Sequence, residues 1–350
     1  MAQRVVVTGL GALSALGGDV ASLIEGVNAA RSGVAPLTTP WVSRLASPLA
    51  AAVTAPVEDQ FTKLRRLTLD RVAQLALLAS GQAIKQAGIS FEGEAGELCG
   101  IYWGTGMGGA NTLEQAWLET ATNPDARVRP TAIVMFMANS STGQIGIEHK
   151  IRGPSYTFSS ACSSSAVAIG EAFRNIAAGR IQSAVVGGSE ALLTLGVMKA
   201  WESLQTLAKP DAAHPETSCR PFSKDRSGFV LGEGAAALVL ESETSARARG
   251  AKILAEIVGY GNSTDATHIT QPDSNGQARA MQQALREAGL NPDQVGYINA
   301  HGTGTLVGDV VETRAIHQVF GEAPKVAVSS TKALTGHLMG ASGALEMVVA

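Results

Sequence analysis

The chain contains a weak copy of itself, and this constrains its fold more than any compositional figure does. Gln82–Ile89 reads QAIKQAGI and Gln283–Leu290 reads QALREAGL. Each looks like the end of an amphipathic helix closed by a glycine, where the chain can turn left-handed. Each is followed by a polar loop and a short apolar strand with a glycine-rich exit, CGIYWGTGMGG from Cys99 and VGYINAHGTGT from Val295. A second match pairs TFSSACSSSA from Thr157 with VAVSSTKALT from Val326. Both strings pass from a β-branched strand through paired serines into a helix. One such match is commonplace, but two in the same order and context argue for duplication.

The coarse pattern alternates strands with helices. Strands are expected at Arg4–Thr8, Gly100–Trp103, Ser155–Phe158, Ala184–Val186 and Ala235–Leu240, with a second set near Ile253–Val258, Gly296–Asn299 and Val326–Val328. Such alternation predicts an α/β fold whose sheets are covered on both faces by helices. Duplication predicts two such units, residues 1–245 and 250–350, facing each other across a pseudo-twofold axis. Extending the first unit onto the second predicts about 60 further residues with two strands past Ala350, because SGALEMVVA carries no helix stop signal.

Composition narrows the function classes. Charged residues are 16% and hydrophobic ones 45%, which excludes a disordered chain. A net charge of −3 leaves no electrostatic footprint for nucleic acid. No apolar run reaches the roughly 18 residues of a membrane span. The stretch Val5–Leu16 after Arg4 faintly imitates a signal peptide, but glycines 9, 11, 17 and 18 favour a buried strand with a tight turn. Cysteines 99, 162 and 219 are odd in number and lack CxxC spacing, so neither a disulfide framework nor a zinc site is expected. A cytoplasmic globule is expected.

Cys162 follows an apolar strand and opens a helical stretch among small residues. A thiol there faces unsatisfied N–H groups and the positive end of the helix dipole, which favour thiolate. The alternative is a buried structural cysteine. His301 lies at a strand exit in NAHGTGT and His337 follows Lys332 in TKALTGH, both at turns. Neither spacing is a metal pattern, so no metal is expected; each alone could be a core or capping histidine. Three further motifs compete. Gly104–Gly109 fits the dinucleotide pattern GxGxxG, yet its counterpart in the second unit carries a histidine. GGSEA at Gly187–Ala191 approaches a hydrolase elbow on Ser189 but ends in alanine, and Ser329-x-x-Lys332 lacks the KTG of penicillin-recognising enzymes.

SSACSSSAVAIGEA, INAHGTGT and VSSTKALTGHLMGASGALE together resemble the β-ketoacyl-[acyl-carrier-protein] synthases of the thiolase superfamily. VVVTGLGALSALG, CRPFSKDRSGFVLGEGAAALVLE and RGAKILAEIVGYG add to the likeness, which spans the whole sequence. The resemblance implies a duplicated five-layer αβαβα fold and, usually, a homodimer. It implies that Cys162 accepts an acyl chain from a phosphopantetheine thioester on acyl carrier protein. His301 and His337 would bind the malonyl carbonyl and assist loss of carbon dioxide. Lys332 would organise the site with Glu346, while Thr303 and Thr305 would hold the pantetheine arm. No cofactor is implied. Met107 stands where elongating members place an apolar residue across the acyl channel, and Met198 and Trp201 are expected to face it. Leu306 replaces a proline common in the family, and the GFGG gating loop of the family is expected past Ala350. A ketosynthase of a polyketide or aryl-polyene pathway with a chain-length partner subunit is the alternative. A non-catalytic chain-length subunit is disfavoured by Cys162, and a serine hydrolase on Ser189 stands further off. Lys63, Arg65 and Arg66, with Arg127 and Arg129, form basic clusters that could meet an acidic carrier.

Overall fold

Ten strands run in chain order through the computed structural model, which describes residues 3–350: β1 (Val5–Leu13), β2 (Ala35–Pro36), β3 (Leu49–Ala50), β4 (Cys99–Gly104), β5 (Ser155–Phe158), β6 (Ser183–Glu190), β7 (Gly234–Ser242), β8 (Ala255–Ile257), β9 (Tyr297–Asn299) and β10 (Ala327–Ser329). Every expected strand is present. The first is longer than expected, running through Gly9 and Gly11 to Leu13 with a bulge between Val7 and Gly9. Its glycines serve close packing rather than a turn. A Cβ on Gly9 would lie 2.1 Å from the Ala83 carbonyl oxygen, and one on Gly11 would lie 2.0 Å from that of Ala79. The helix Arg71–Ala87 therefore lies directly on the strand.

The same seam recurs in the second unit. Cβ atoms on Gly259 and Gly261 would lie 2.3 Å and 1.8 Å from the carbonyl oxygens of Ala284 and Ala280, in the helix Ser274–Ala288. Both helices end on a left-handed glycine, Gly88 at φ +62° and Gly289 at φ +67°. The likeness of the two strings is thus a repeated mode of packing.

Six strands form the main sheet in the order β5-β4-β6-β7-β1-β8. β4 is parallel to β5 and β6, whereas β7 is antiparallel to both β6 and β1. β4, β6 and β7 are buried at every position, as strands covered on both faces must be. Alternation sends Trp103, Val185 and Val239 to the core beneath Arg71–Ala87. Tyr102, Val186 and Leu238 go to the opposite core, which includes side chains of the helices Ser164–Ala177 and Ser342–Val349. β9 and β10 pair in parallel as a separate two-stranded sheet. The expectation that β8 belongs with them is corrected: it pairs antiparallel with β1, Val5 opposite Ile257, at the edge of the main sheet. The segment following Arg249 is thereby joined to the main sheet.

Candidate active site

Cys162 sits in the turn between β5 and the helix Ser164–Ala177. Ala161, just before it, takes φ +53°, a left-handed conformation unusual for a residue with a Cβ. Ser164 holds that turn: its Oγ accepts the Ser160 N–H at 2.9 Å and donates to the Ala161 carbonyl at 2.7 Å. The turn projects the sulfur toward the second unit, where Sγ lies 3.0 Å from His337 Nε2. The expected thiolate at the helix start is not what the surroundings favour. Desolvation pushes the Cys162 thiol up to about 11, outweighing the nearby Lys332 ammonium, which lowers it.

His337 is almost wholly buried and is strapped to the 230–232 segment, its N–H donating to the Val230 carbonyl at 2.8 Å. Its Nδ1 accepts the Met339 N–H at 3.3 Å and faces Ser342 Oγ at 2.9 Å. A backbone N–H can only donate, so in the neutral ring the proton sits on Nε2, directed at the Cys162 sulfur. The His301 ring lies edge-on to that of His337, centroids 5.3 Å apart. Its turn is fixed from behind by Glu312, whose carboxylate accepts the N–H groups of His301 and Gly302 at 2.6 Å and 2.7 Å. Desolvation, and then the Lys332 charge, push both imidazoles below the ordinary histidine value. His301 keeps an exposed edge, so for that ring the Lys332 charge is the firmer cause.

Lys332 is fully buried and paired with Glu346, whose carboxyl is raised by burial against the pull of the ammonium. Thr303 and Thr305 hydroxyls lie 3.0 Å apart, and their loop is braced from both sides. Asp309 accepts the N–H groups of Gly304 and Phe222 at 3.0 Å and 2.6 Å, while Arg226 donates to the carbonyls of Thr305 and Leu306 at 2.9 Å and 2.7 Å. Met198 is fully buried, and both Met198 and Trp201 join Cys162 in one apolar cluster. Trp201 packs edge-on to Phe229, and Phe229 edge-on to His337. Met107 is not drawn in; it is 53% exposed.

The donor atoms of Cys162, His301 and His337 lie within 4.8 Å of one another, close enough to hold a metal ion, which no sequence spacing announces. The competing motifs have other roles. The N–H groups of Gly106 and Met107, which a dinucleotide phosphate would need, already donate to Glu190. Ser189 is buried and accepts from Trp103 Nε1 at 3.0 Å, so it offers no exposed nucleophile. Ser329 Oγ pairs with the Tyr297 hydroxyl, leaving Lys332 to Glu346. Sequence reasoning misses Glu312, Ser342, Asp309 and Glu190. Only Glu190 leaves a trace, as an acidic residue at the end of an otherwise apolar strand.

Residues 2–246 match the family model described as "Beta-ketoacyl synthase, N-terminal domain", and residues 254–350 match "Beta-ketoacyl synthase, C-terminal domain". The chain is 40% identical over 353 aligned residues to "3-oxoacyl-[acyl-carrier-protein] synthase 2" of Staphylococcus aureus, covering 99% of this chain and 84% of the relative. It is also 40% identical to "Nodulation protein E" of Rhizobium leguminosarum bv. trifolii, covering 99% and 85%. Among solved structures, a β-ketoacyl synthase from Burkholderia phymatum superposes with a TM-score of 0.91 at 34% identity, covering 99% of this chain and 85% of that one. "The ishigamide ketosynthase/chain length factor" gives 0.90 at 32%, with the same coverage.

Proposed function

The chain belongs to the β-ketoacyl synthase family, and from that premise we propose that it is an acyltransferase extending carrier-bound acyl chains by two carbons through decarboxylative Claisen condensation, as in fatty acid biosynthesis. The observation that carries this reading is the Cys162 sulfur 3.0 Å from His337 Nε2, with the ring's other nitrogen held by a backbone donor.

In the first half-reaction Cys162 attacks the thioester carbonyl of an acyl carrier protein. The sulfur–acyl bond forms, the carrier–acyl bond breaks, and the proton of the Cys162 thiol leaves with the carrier's phosphopantetheine thiol. The Nε2–H of His337 stabilises negative charge on sulfur as it is unmasked. In the second, the malonyl pantetheine arm lies along Thr303 and Thr305, on the loop that Asp309 and Arg226 brace. The imidazoles of His301 and His337 bind the malonyl carbonyl oxygen, where charge accumulates as carbon dioxide departs. Burial and the Lys332 charge together keep both rings neutral, so that they act as hydrogen-bond donors. The enolate carbon attacks the acyl-cysteine, the carbon–sulfur bond breaks, and the Cys162 thiolate takes a proton from solvent in place of the one that left with the first carrier. The scheme uses no metal and no organic cofactor.

The 1–245 unit supplies the nucleophile and the 250–350 unit the imidazoles. A homodimer is proposed because β5 is a sheet edge with an exposed Tyr156, and Ile133, Val134 and Met137 are exposed apolar residues as well. Sedimentation should return the mass of two chains; a monomer at micromolar concentration would refute it. No helix among the described residues is long and apolar enough to cross a membrane, in keeping with a cytoplasmic enzyme working on a carrier protein. Docking of an acidic carrier is assigned to Lys63, Arg65 and Arg66 with Arg127 and Arg129. Its affinity should fall as salt rises, and indifference to salt would reject electrostatic steering.

Met198 and Trp201 occupy the apolar side of Cys162, where the acyl chain would lie. Trp201→Gly is therefore expected to lengthen the products, and an unchanged product distribution would remove Trp201 from the pocket wall. A ketosynthase acting with a chain-length partner subunit is the second reading, favoured by the likeness to the ishigamide ketosynthase/chain length factor. The reaction is tested by mixing protein, acyl carrier thioester and malonyl carrier thioester. An acyl adduct on the intact protein, followed by a carrier-bound product two carbons longer, supports it. A hydrolysed thioester with no longer product would refute it.

A further inference from the structure

Glu190 ends β6 as a fully buried carboxylate whose partners are all N–H and O–H groups. Its Oε2 accepts the Gly106 N–H at 2.6 Å and the Gly340 N–H at 2.9 Å. Its Oε1 accepts the Thr105 hydroxyl at 3.1 Å and the Met107 N–H at 3.3 Å. One oxygen therefore bridges the loop after β4 and the segment that follows His337. These segments touch: a Cβ on Gly340 would lie 2.4 Å from Gly106 N and 2.8 Å from Glu190 Oε2.

Met339, immediately before Gly340, takes φ +45° and is nearly fully buried. Left-handed strain on a residue with a Cβ persists only where its surroundings over-determine it. Met339 is also the residue whose N–H holds His337 Nδ1, and its Sδ lies 3.9 Å from Cys162 Sγ. The carboxylate thus grips the peptide next to a strained residue on which the orientation of the imidazole depends.

We propose that Glu190 is a positioning residue for condensation: by clamping the Gly340 N–H against the Thr105–Met107 loop it holds Met339 left-handed, and through the Met339 N–H it fixes the His337 tautomer that presents Nε2–H to Cys162 and to the malonyl carbonyl. This rests on the reaction proposed above. The carboxylate has a second effect on the same site, since its negative charge raises the Cys162 thiol. Burial pushes Glu190 itself up to about 7, against the pull of its four donors.

Two variants separate clamp from charge. Glu190→Asp is one methylene shorter and draws the shared oxygen back from Gly340. Glu190→Gln keeps a carbonyl oxygen for Gly106 and Gly340, turns its amide toward Thr105 Oγ, which can accept, and removes the charge; the long Met107 N–H bond alone loses its acceptor. Expected for Glu190→Asp is a loss of kcat on the order of 10²-fold, as for a small misplacement of a reacting group. KM for the malonyl carrier thioester should stay within about threefold. Glu190→Gln should keep kcat within about threefold of wild type while its Cys162 is alkylated by iodoacetamide at least about twofold faster at about pH 8, thiolate being the reactive form. Wild-type kcat in Glu190→Asp, equal losses in both variants, or a change confined to KM would each overturn the proposal. If the aspartate variant does not fold, Glu190→Gln decides the matter: a kcat loss on the order of 10²-fold with the bridging oxygen kept would show that the charge and not the clamp is what counts, and would overturn the proposal. Alkylation needs no condensation, so wild-type protein that fails to condense would overturn the proposed reaction and leave the effect of Glu190 on the sulfur measurable.

Discussion

Cys162→Ala should carry no acyl group after exposure to acyl carrier thioester, and its condensation should fall by on the order of 10⁴-fold or more, as when a nucleophile is removed from a site that acts as a unit. Carbon dioxide release from malonyl carrier thioester should nevertheless continue. Decarboxylation places charge on a carbonyl oxygen held by His301 and His337, and neither ring depends on the sulfur for its position: Ser342 and Met339 hold one, and Glu312 holds the turn of the other. Intact-protein mass and trapped carbon dioxide measure the two steps separately. An acyl adduct surviving in the variant would move the nucleophile elsewhere, and serine would then be the residue to look for.

The histidines should show the opposite pattern. His301→Ala removes a donor from the developing enolate and should lower carbon dioxide release by about 10²–10³-fold, the usual effect of losing one such donor. Acyl transfer to Cys162 should stay close to wild type, because His337 is the ring that meets the sulfur. His337→Ala should lower carbon dioxide release as much and slow acyl transfer as well, having taken the Nε2–H away from Sγ. Equal behaviour of the two variants in acyl transfer would contradict the division of labour read from the 3.0 Å contact.

Much of this architecture is legible in the amino-acid sequence. Strand positions follow from apolar runs bounded by glycines, because burial on both faces leaves a strand little room for polar residues. Cys162, His301, His337 and Lys332 lie in strings specific enough to be placed together; the folded chain brings the first three within 4.8 Å of one another and sets the Lys332 charge where it acts on them. The partner of β8 is not legible. Three residues of strand carry no mark of which sheet edge will take them, and the choice of β1 is a tertiary one. Gly9 and Gly11 look like turn residues, since nothing in the sequence reveals that a helix will pass within contact of their backbone. The carboxylates that hold the site escape for a similar reason. Glu312 and Asp309 act through backbone N–H groups of a loop that reaches them only once the chain has folded back. The expectation of a thiolate fails because a helix terminus can be recognised in a sequence, whereas the dryness of its surroundings cannot.

That dryness has a chemical consequence. A thiol that burial pushes up to about 11 should offer little to peroxide or stray electrophiles, whose attack follows the thiolate. The apolar cluster that Cys162 packs against would then keep the nucleophile latent between turnovers.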